Sequence, residues 1–597
     1  MNEPDAAQRA AMRHGGGPAL VIAGPGSGKT FVMTRRIAYL TDDLKIDPSS
    51  ILTLTFTNAA AKEIRSRAYS FIGARASRMT FGTFHSVSFS ILKQTYGLTR
   101  ANILKPAEKY IILRDLIIGS HTYVEDMPEA VDELSAMING VSYGNGLIGE
   151  ETGERLCLKY REILRERRLL DFGDMLRKCH ALLTADTARL AFWRDRYRYI
   201  QVDEFQDTDS LQYELVKLLA GDDENIYAVG DDDQSIYGFR GGSFGVMRRF
   251  MDEHTDEAGG RRLGIYELGK NYRCCMPIVR AAVKVITQNE DRIAKHQEAF
   301  DLTGPDVDIR GFGGRDEEAE EMMRLTASAH TDDIAILVRT NELVKHYDRV
   351  LSAKGIRTSL NGISKSLYRT ECGEDVMAYM RLACGRYTRS DILRCMNKPY
   401  RGIGREAFAG AEAVLDDAAH FYKGIPEVED AVRQFIEDIN RMKLMKPENA
   451  MRYLMKVVGY EEYLIKCGAY LNDLHELYER SGAYSSLYEW IRASDMPDSV
   501  SADGDSTGIR ILTLHACKGL EFREVFIADV NEGIIPYRRA AKKSEMEEER
   551  RLLYVGMTRA ERKLHIFYLN ENNGKKMQPS RFLGLSSFIV GKPTFAH

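Results

Sequence analysis

The stretch Ala19-Leu20-Val21-Ile22-Ala23-Gly24-Pro25-Gly26-Ser27-Gly28-Lys29-Thr30 decides the reading of this chain. Four apolar residues of strand character run straight into a glycine-rich loop, and a helical pattern with Val32, Arg36 and Tyr39 follows. Glycines let successive backbone N–H groups curl toward one point, at the positive end of the next helix, which is how a backbone holds a phosphate. In that arrangement Lys29 reaches the β- and γ-phosphates of ATP and the Thr30 hydroxyl ligates Mg²⁺. Ala23 stands at the first motif position, where only a small residue is needed. The expected nucleotide contacts on this segment are therefore Ala23, Gly24, Pro25, Gly26, Ser27, Gly28, Lys29, Thr30, Phe31 and Arg36.

A phosphate loop needs a carboxylate at the end of a neighbouring strand, and Tyr199-Ile200-Gln201-Val202-Asp203-Glu204 supplies an apolar strand closed by two acids. Asp203 is expected to hold Mg²⁺ with Thr30, and Glu204 to orient and deprotonate the attacking water. Lys29 and Asp203 stand too far apart in sequence for one simple crossover, so a domain must be inserted between them. Further strand-like runs at Ile51 to Phe56 and Ile226 to Val229 alternate with helical stretches, as in a parallel α/β sheet. A second set lies at Val307 to Gly311, Ile334 to Val338, Ile509 to Leu514, Val525 to Ile527 and Leu564 to Tyr568, and has no glycine-lysine loop. Long helical patterns interrupt both sets, and the Asp-, Ser- and Gly-rich stretch from Asp495 to Gly508 reads as a linker.

Length and composition agree with several packed units. At roughly 150 residues per domain, 597 residues suggest about four, and 44% hydrophobic with 28% charged residues excludes a disordered chain. The 83 Lys and Arg against 87 Asp and Glu leave a net charge of −4, which by itself does not suggest a nucleic-acid role. Nine cysteines without a CxxC pair point to reduced thiols, not a disulfide framework or zinc site. No uncharged apolar run approaches ~18 residues, so the expectation is a soluble cytoplasmic protein with no membrane segment.

The motifs Val202-Asp203-Glu204-Phe205-Gln206-Asp207-Thr208-Asp209 and Val229-Gly230-Asp231-Asp232-Asp233-Gln234-Ser235-Ile236-Tyr237-Gly238-Phe239-Arg240-Gly241 make the chain strongly resemble the UvrD/PcrA/Rep family of superfamily-1 DNA helicases. Thr55-Phe56-Thr57-Asn58 and Gly82-Thr83-Phe84-His85-Ser86 resemble the family's early DNA-contact motifs. Asn271-Tyr272-Arg273, Thr513 to Phe522, and Glu547 to Ala560 resemble its second-lobe motifs. The resemblance runs from about residue 2 to about 568. It implies two RecA-like lobes with parallel sheets, each carrying a mainly helical insert: residues 1–90 and 171–260 as the first lobe, 91–170 its insert, 261–365 and 508–597 the second lobe, and 366–507 its insert with the linker.

The resemblance also implies roles. Gln8 reads adenine, Tyr272 stacks on it and Glu521 accepts from the ribose. Gln234 sits between the γ-phosphate and the DNA contacts, and Arg273 and Arg559 are arginine fingers that act when the lobes close. Phe56, Tyr237 and Phe239 are platforms for stacked bases, with Asn58, Thr83, His85, Arg240, Arg339, Asn341, Thr513 and His515 near the strand. Three departures stand out: Phe31 where relatives carry arginine, Phe239 where they carry tryptophan, and Ala59 where lysine is common. Arg401-Gly402-Ile403-Gly404 resembles a duplex-contacting turn and reads equally well as a plain helix-helix turn.

The implied activity is ATP-dependent translocation 3′ to 5′ on single-stranded DNA with unwinding at single-strand/duplex junctions, in repair, replication or defence. The alternative is a DNA-sensing ATPase subunit of a nuclease-containing, anti-phage complex. Few residues follow Tyr568, so a nuclease or repair partner is expected to be a separate polypeptide. DNA binding confined to one cleft and built on stacking reconciles this reading with the acidic balance.

Overall fold

The computed structural model describes residues 3–120, 127–138, 146–236, 245–255, 263–326, 333–359, 367–408, 414–466, 471–495, 508–572 and 574–584. Two large parallel sheets organise it. The first contains β1 (Ala19–Ala23), β2 (Ile51–Thr55), β3 (Thr80–Thr83), β4 (Tyr199–Val202), β5 (Ile226–Gly230) and β6 (Gly264–Leu268), in the order β3-β2-β4-β5-β1-β6. Every residue of β1, β2 and β5 is buried, as expected of strands covered on both faces by crossover helices. Alternation splits their side chains between two cores. Leu20 and Ile22 pack with Leu52, Leu54, Ile200, Val202 and Ala228 on one face, while Ala19, Val21 and Ala23 pack with Ile51, Tyr227 and Val229 on the other.

β6 departs from the sequence-based boundary. It lies beyond residue 260, in the segment assigned to the second lobe, yet pairs along its whole length with β1, Ala19 opposite Gly264 through Ala23 opposite Leu268. The first lobe therefore closes on a strand donated after residue 260. β3 was also unforeseen; its Thr-Phe-Gly-Thr sequence is only partly buried and carries no apolar run.

The second sheet comprises β7 (Asp308–Phe312), β8 (Ile334–Val338), β9 (Thr358–Ser359), β10 (Ile509–Thr513), β11 (Phe522–Ile527) and β12 (Ala560–Leu569), in the order β9-β10-β8-β11-β12-β7. Ala335, Leu337, Leu512, Leu514, Val525, Ile527, Leu564 and Ile566 face helices Met276–Ile286 and Lys543–Met557 in one core. The first-lobe insert is a small helical unit, Pro106–Gly119, Met127–Ile138 and Glu150–Glu166, around Leu113, Leu134, Leu156 and Tyr160. Asp171 anchors its return, accepting from Lys109 Nζ at 2.8 Å and Tyr160 OH at 2.9 Å.

Residues Arg357–Arg510 form a compact unit of their own. Its exit and return strands pair, Thr358 with Ile509 and Ser359 with Arg510, and its helices enclose Tyr379, Phe435, Tyr460 and Trp490. Buried Asp375 accepts from Arg394 (2.9 Å), Lys398 (2.7 Å) and Tyr460 OH (2.8 Å). Most of the linker read at Asp495 to Gly508, residues 496–507, lies outside the described residues. Among the described residues no helix is long and apolar enough to cross a membrane.

One buried charge in the second sheet carries a pH signature. His565 lies between two acids, Nδ1 2.9 Å from Asp308 and Nε2 2.9 Å from Glu524, with its ring stacked on Phe526 at 4.4 Å. A neutral imidazole has one N–H and satisfies one carboxylate; only the imidazolium serves both. Burial opposes that charge, but the two carboxylates outweigh it and raise the His565 pKa. Its contribution is therefore complete below the unfolded value of 6.5 and fades as pH rises through the higher folded value. His565→Gln should lower stability at about pH 6 by about 2 kcal/mol. The variant should also lose the decline that the native chain shows toward alkaline pH, as read by urea unfolding at a series of pH values.

Candidate nucleotide site and nucleic-acid face

β1 delivers the chain to the loop at Gly24, whose N–H donates to Leu268 O of β6 at 3.4 Å. Gly26 (φ +65°) and Gly28 (φ +88°) take left-handed conformations that open the turn into helix Lys29–Ala38. Ser27 Oγ closes it by donating to Gly24 O at 2.7 Å. Backbone approach is close here: a Cβ on Gly26 would lie 2.6 Å from Arg273 Cβ and from Asn271 Oδ1, and Tyr272 N donates to Gly26 O at 2.9 Å. The segment Asn271-Tyr272-Arg273 thus rests directly on the phosphate loop.

The two residues expected at adenine converge through a third. Gln8 donates from Nε2 to Ser27 O (3.0 Å) and is fixed by a reciprocal cap with Asp5. Tyr272 OH donates to the same Asp5 at 2.6 Å, and its ring packs against Phe300. The cation missing at Phe31 returns four residues later, where the Arg35 guanidinium lies 5.5 Å from the Phe31 ring.

At the end of β4, Asp203 N donates to Leu54 O (2.9 Å), and Glu204 adopts φ +50°. A left-handed non-glycine residue costs on the order of 1 kcal/mol and marks functional sites. Gln206 fixes it: its Nε2 donates to Glu204 Oε2 (2.5 Å) and its Oε1 accepts from Asp231 N (2.9 Å). Lys29 Nζ lies 3.7 Å from Glu204. Burial and the neighbouring Glu204 charge raise the pKa of Asp203. Burial works against Glu204 too, but Lys29, Lys518, the Gln206 amide and Arg559 outweigh it and hold Glu204 ionised. Lys29 Nζ, Asp203 Oδ1, Asp207 Oδ1 and Arg273 Nε are buried with no hydrogen-bond partner among the described residues. Buried donor and acceptor atoms left without hydrogen bonds on both cationic and acidic side chains at a phosphate loop fit a triphosphate with a divalent cation, the groups that Lys29, Thr30 and Asp203 would hold.

The second lobe reaches this floor with three cations. Lys518 pairs with Asp207 and donates to Gln234 O at 2.9 Å. Arg559 is held by Val555 O (2.9 Å) and reaches Gln234 Oε1 at 3.5 Å; burial and then the like charge of Arg273 lower its pKa. Arg273 donates to Glu521 at 2.5 Å, so the expected ribose acceptor here serves as the partner of a finger. The Gln234 amide donates to Asp231 Oδ2 at 2.6 Å.

Two expectations need correction. Arg36 is not at the nucleotide: it is 1% exposed, donates to His14 O (3.0 Å) and Gln201 Oε1 (3.2 Å), and lies over the Tyr227 ring at 4.2 Å. Two turns beyond Lys29, the helix has carried it under the sheet. Arg339, expected near DNA, is committed to Glu549 through bonds of 2.7 and 3.2 Å beside the Tyr537 ring.

Arg292 and Lys295, which carry no sequence signal, complete the floor. Asp231, Asp232 and Asp233 are buried and close enough to share a metal ion, but Lys295 occupies them, bonding Asp231 at 2.5 Å and Asp233 at 2.9 Å as well as Asp232. Arg292 adds a bidentate pair with Asp233 (2.6 and 3.1 Å). Burial opposes the Lys295 charge, but the three carboxylates prevail and raise its pKa.

The remaining DNA candidates sit at carboxyl ends of strands, where open parallel sheets bind ligands. Phe56 and Asn58 follow β2, with Asn58 exposed at a helix start capped by Thr57. Thr83 ends β3 and caps the next helix through Ser86 N (3.2 Å), placing His85 edge-on to half-exposed Phe172 at 5.8 Å. In the second lobe Asn341 is exposed after β8, Thr513 ends β10 accepting from Ala516 N (3.3 Å), and His515 follows. Tyr237, Phe239 and Arg240 lie outside the described residues. In the unit Arg357–Arg510, Ile403 is buried and the Arg401 guanidinium is engaged by the carbonyls of Cys395, Met396 and Pro399 and by the Phe435 ring, which makes Arg401 to Gly404 an internally braced turn.

A parallel-sheet lobe with a phosphate loop and an Asp-Glu strand end, met by a second parallel-sheet lobe bringing Lys518, Arg559 and Arg273, defines a two-lobed P-loop NTPase. Residues 5–255 match the UvrD/REP helicase N-terminal domain, and residues 266–414 and 428–571 match the UvrD-like helicase C-terminal domain. The chain belongs to the UvrD/Rep helicase family. It is 29% identical to the ATP-dependent DNA helicase PcrA of Bacillus subtilis (strain 168), over 94% of this chain and 82% of that protein. A probable DNA helicase II homolog of Rickettsia conorii is also 29% identical, over 96% and 94% respectively. PcrA of Staphylococcus aureus (strain Mu50) is 27% identical over 98% and 86%.

The corrected position of Arg36 has a direct test. Arg36→Leu should cost about 2–3 kcal/mol of stability, because it strips partners from buried Gln201 and His14 O. The affinity of the folded variant for an ATP analogue should stay within about twofold of the native value, read by thermal unfolding and nucleotide titration.

Proposed function

We propose that this chain is an ATP-driven, DNA-stimulated motor that moves 3′ to 5′ on single-stranded DNA and unwinds duplex at junctions. The observation that carries the proposal is the bridge from the second lobe to the catalytic floor of the first: Lys518 on Asp207 and Gln234 O, and Arg559 on Gln234 Oε1. Gln234 belongs to the loop after β5, Lys518 follows β10 and Arg559 joins helix Lys543–Met557 to β12 in the second lobe, so the charge state of the nucleotide site is coupled to the spacing of the lobes. The family resemblance supports the polarity, and exposed Asn58 and Asn341 with partly exposed Phe56, Thr83, His85 and His515, which end or follow β2, β3, β8 and β10, support a strand-binding face.

In this reading Lys29, Arg273 and Arg559 neutralise the triphosphate as charge develops on it. Glu204, kept ionised by Lys29 and Lys518, is the acceptor for the proton of the attacking water. Thr30 and Asp203 would hold Mg²⁺, which would supply counter-charge to the phosphate oxygens. Loss of the terminal phosphate removes the anion through which Arg559 and Arg273 of the second lobe are held against Lys29 of the first, which favours separation of the lobes.

Lys29→Ala and Glu204→Gln should each lower DNA-stimulated ATP hydrolysis by about 100-fold or more, while single-strand affinity in a gel shift changes by less than about threefold. Unimpaired turnover in either variant would remove this assignment. Strand-separation assays should show unwinding of a duplex carrying a 3′ single-stranded tail and none with a 5′ tail; the reverse preference would overturn the direction.

A further inference from the structure

The stretch from Arg292 to Phe300 holds one polar group that the description above leaves unused. Lys295 pins its start to Asp231 and Asp233. Beyond that, alternate backbone amides are tied down on one side: His296 N donates to Glu267 Oε1 (2.6 Å), Glu298 N to Gly269 O (3.0 Å) and Phe300 N to Asn271 O (2.8 Å). The Gln297 side chain lies across the phosphate loop. A Cβ built on Gly24 would meet its Cδ at 3.4 Å and its Nε2 at 3.5 Å.

The amide has a defined orientation. Tyr554 OH donates to Gln297 Oε1 at 3.0 Å, which leaves the NH₂ end toward the loop. That nitrogen is buried and has no hydrogen-bond partner among the described residues. The opposite orientation would point a carbonyl oxygen at a loop built to bind anions. Tyr554 is fully buried on helix Lys543–Met557, which leads into Arg559, and it feels the charges of Asp231 and Asp233. Gln297 therefore stands where the loop, the acids after β5 and the arginine-bearing helix meet, its free donor facing the loop at Gly24.

We infer that Gln297 is a nucleotide-binding residue: its Nε2 donates to the terminal phosphate of bound ATP, and Tyr554 is the positioning residue that orients the amide. The inference rests on the proposed ATP chemistry. It adds a contact that distinguishes triphosphate from diphosphate, made from a segment anchored to the acids after β5 and not from the phosphate loop itself.

The test is equilibrium binding of two fluorescent nucleotides in the presence of Mg²⁺, a non-hydrolysable ATP analogue and ADP, to the full chain and three variants. Gln297→Leu should weaken the ATP analogue about tenfold and ADP less than about twofold. Gln297→Glu, which sets a carboxylate against phosphate, should weaken the analogue further than Gln297→Leu. Tyr554→Phe should fall between native and Gln297→Leu. Thermal unfolding checks that each variant is folded, and Gln297→Glu, nearly the same size as glutamine, keeps the test open should Gln297→Leu prove unstable. Unchanged analogue affinity in folded Gln297→Leu or Gln297→Glu, or equal weakening of analogue and ADP, would overturn the inference. A native chain that binds neither nucleotide would instead remove the proposed function on which it rests.

Discussion

Buried polar atoms left without hydrogen bonds around the phosphate loop are the constraint on which the rest of the structure depends. An amine, two carboxylate oxygens and a guanidinium nitrogen, from Lys29, Asp203, Asp207 and Arg273, are buried there without hydrogen bonds among the described residues. Each unmade bond costs free energy that a ligand carrying both signs of charge offsets. Such a floor holds its shape only if the surrounding fold fixes it from several directions. The fully buried strands β1 and β5 do so from below, Gln206 ties Glu204 to Asp231, and the Asn271 segment presses on Gly26 from above. Stability is spent locally to keep the site poised.

The same constraint explains why the catalytic machinery is divided. A single lobe holding Lys29, Arg273, Arg559 and Lys518 around two acids would be rigidly satisfied and would gain little from binding or releasing phosphate. Placing three of these four cations on the second lobe makes their position responsive. In the proposed cycle an anion lying between Lys29 of the first lobe and Arg559 and Arg273 of the second is what draws the lobes together.

Much of this was legible in the chain. Buried strands that end in chemistry announce themselves: Tyr199 to Val202 and Ile334 to Val338 have the bounds their apolar runs suggest, and the glycine loop follows β1 as read. The exceptions have physical causes. β3 and β6 are edge strands of mixed polarity, without the apolar run that marks a central strand. Arg36 is charged and shares a helix with Lys29, so composition places it at the ligand, whereas helical geometry turns it into the core. Arg292, Lys295 and Gln297 lie in a polar stretch that reads as solvated surface; only the fold reveals that buried acids and a phosphate loop lie opposite. Gln206 was quoted within a motif, but its task of joining two loops depends on the adjacency of β4 and β5.

The group formed by Lys295 with Asp231, Asp232 and Asp233 has a consequence for how such chains change over time. Four mutually dependent groups in the interior are inherited as a block, because losing the lysine alone removes a cation from three buried carboxylates, of which Asp233 keeps Arg292, and losing the acids alone strands an ammonium. Single nucleotide changes at these codons lead downhill by about 3–5 kcal/mol, whereas a simultaneous exchange to uncharged residues need not. Drift should therefore be slow at these four positions even though none of them is required to touch the nucleotide. Where a descendant does differ there, it should differ at several of them together.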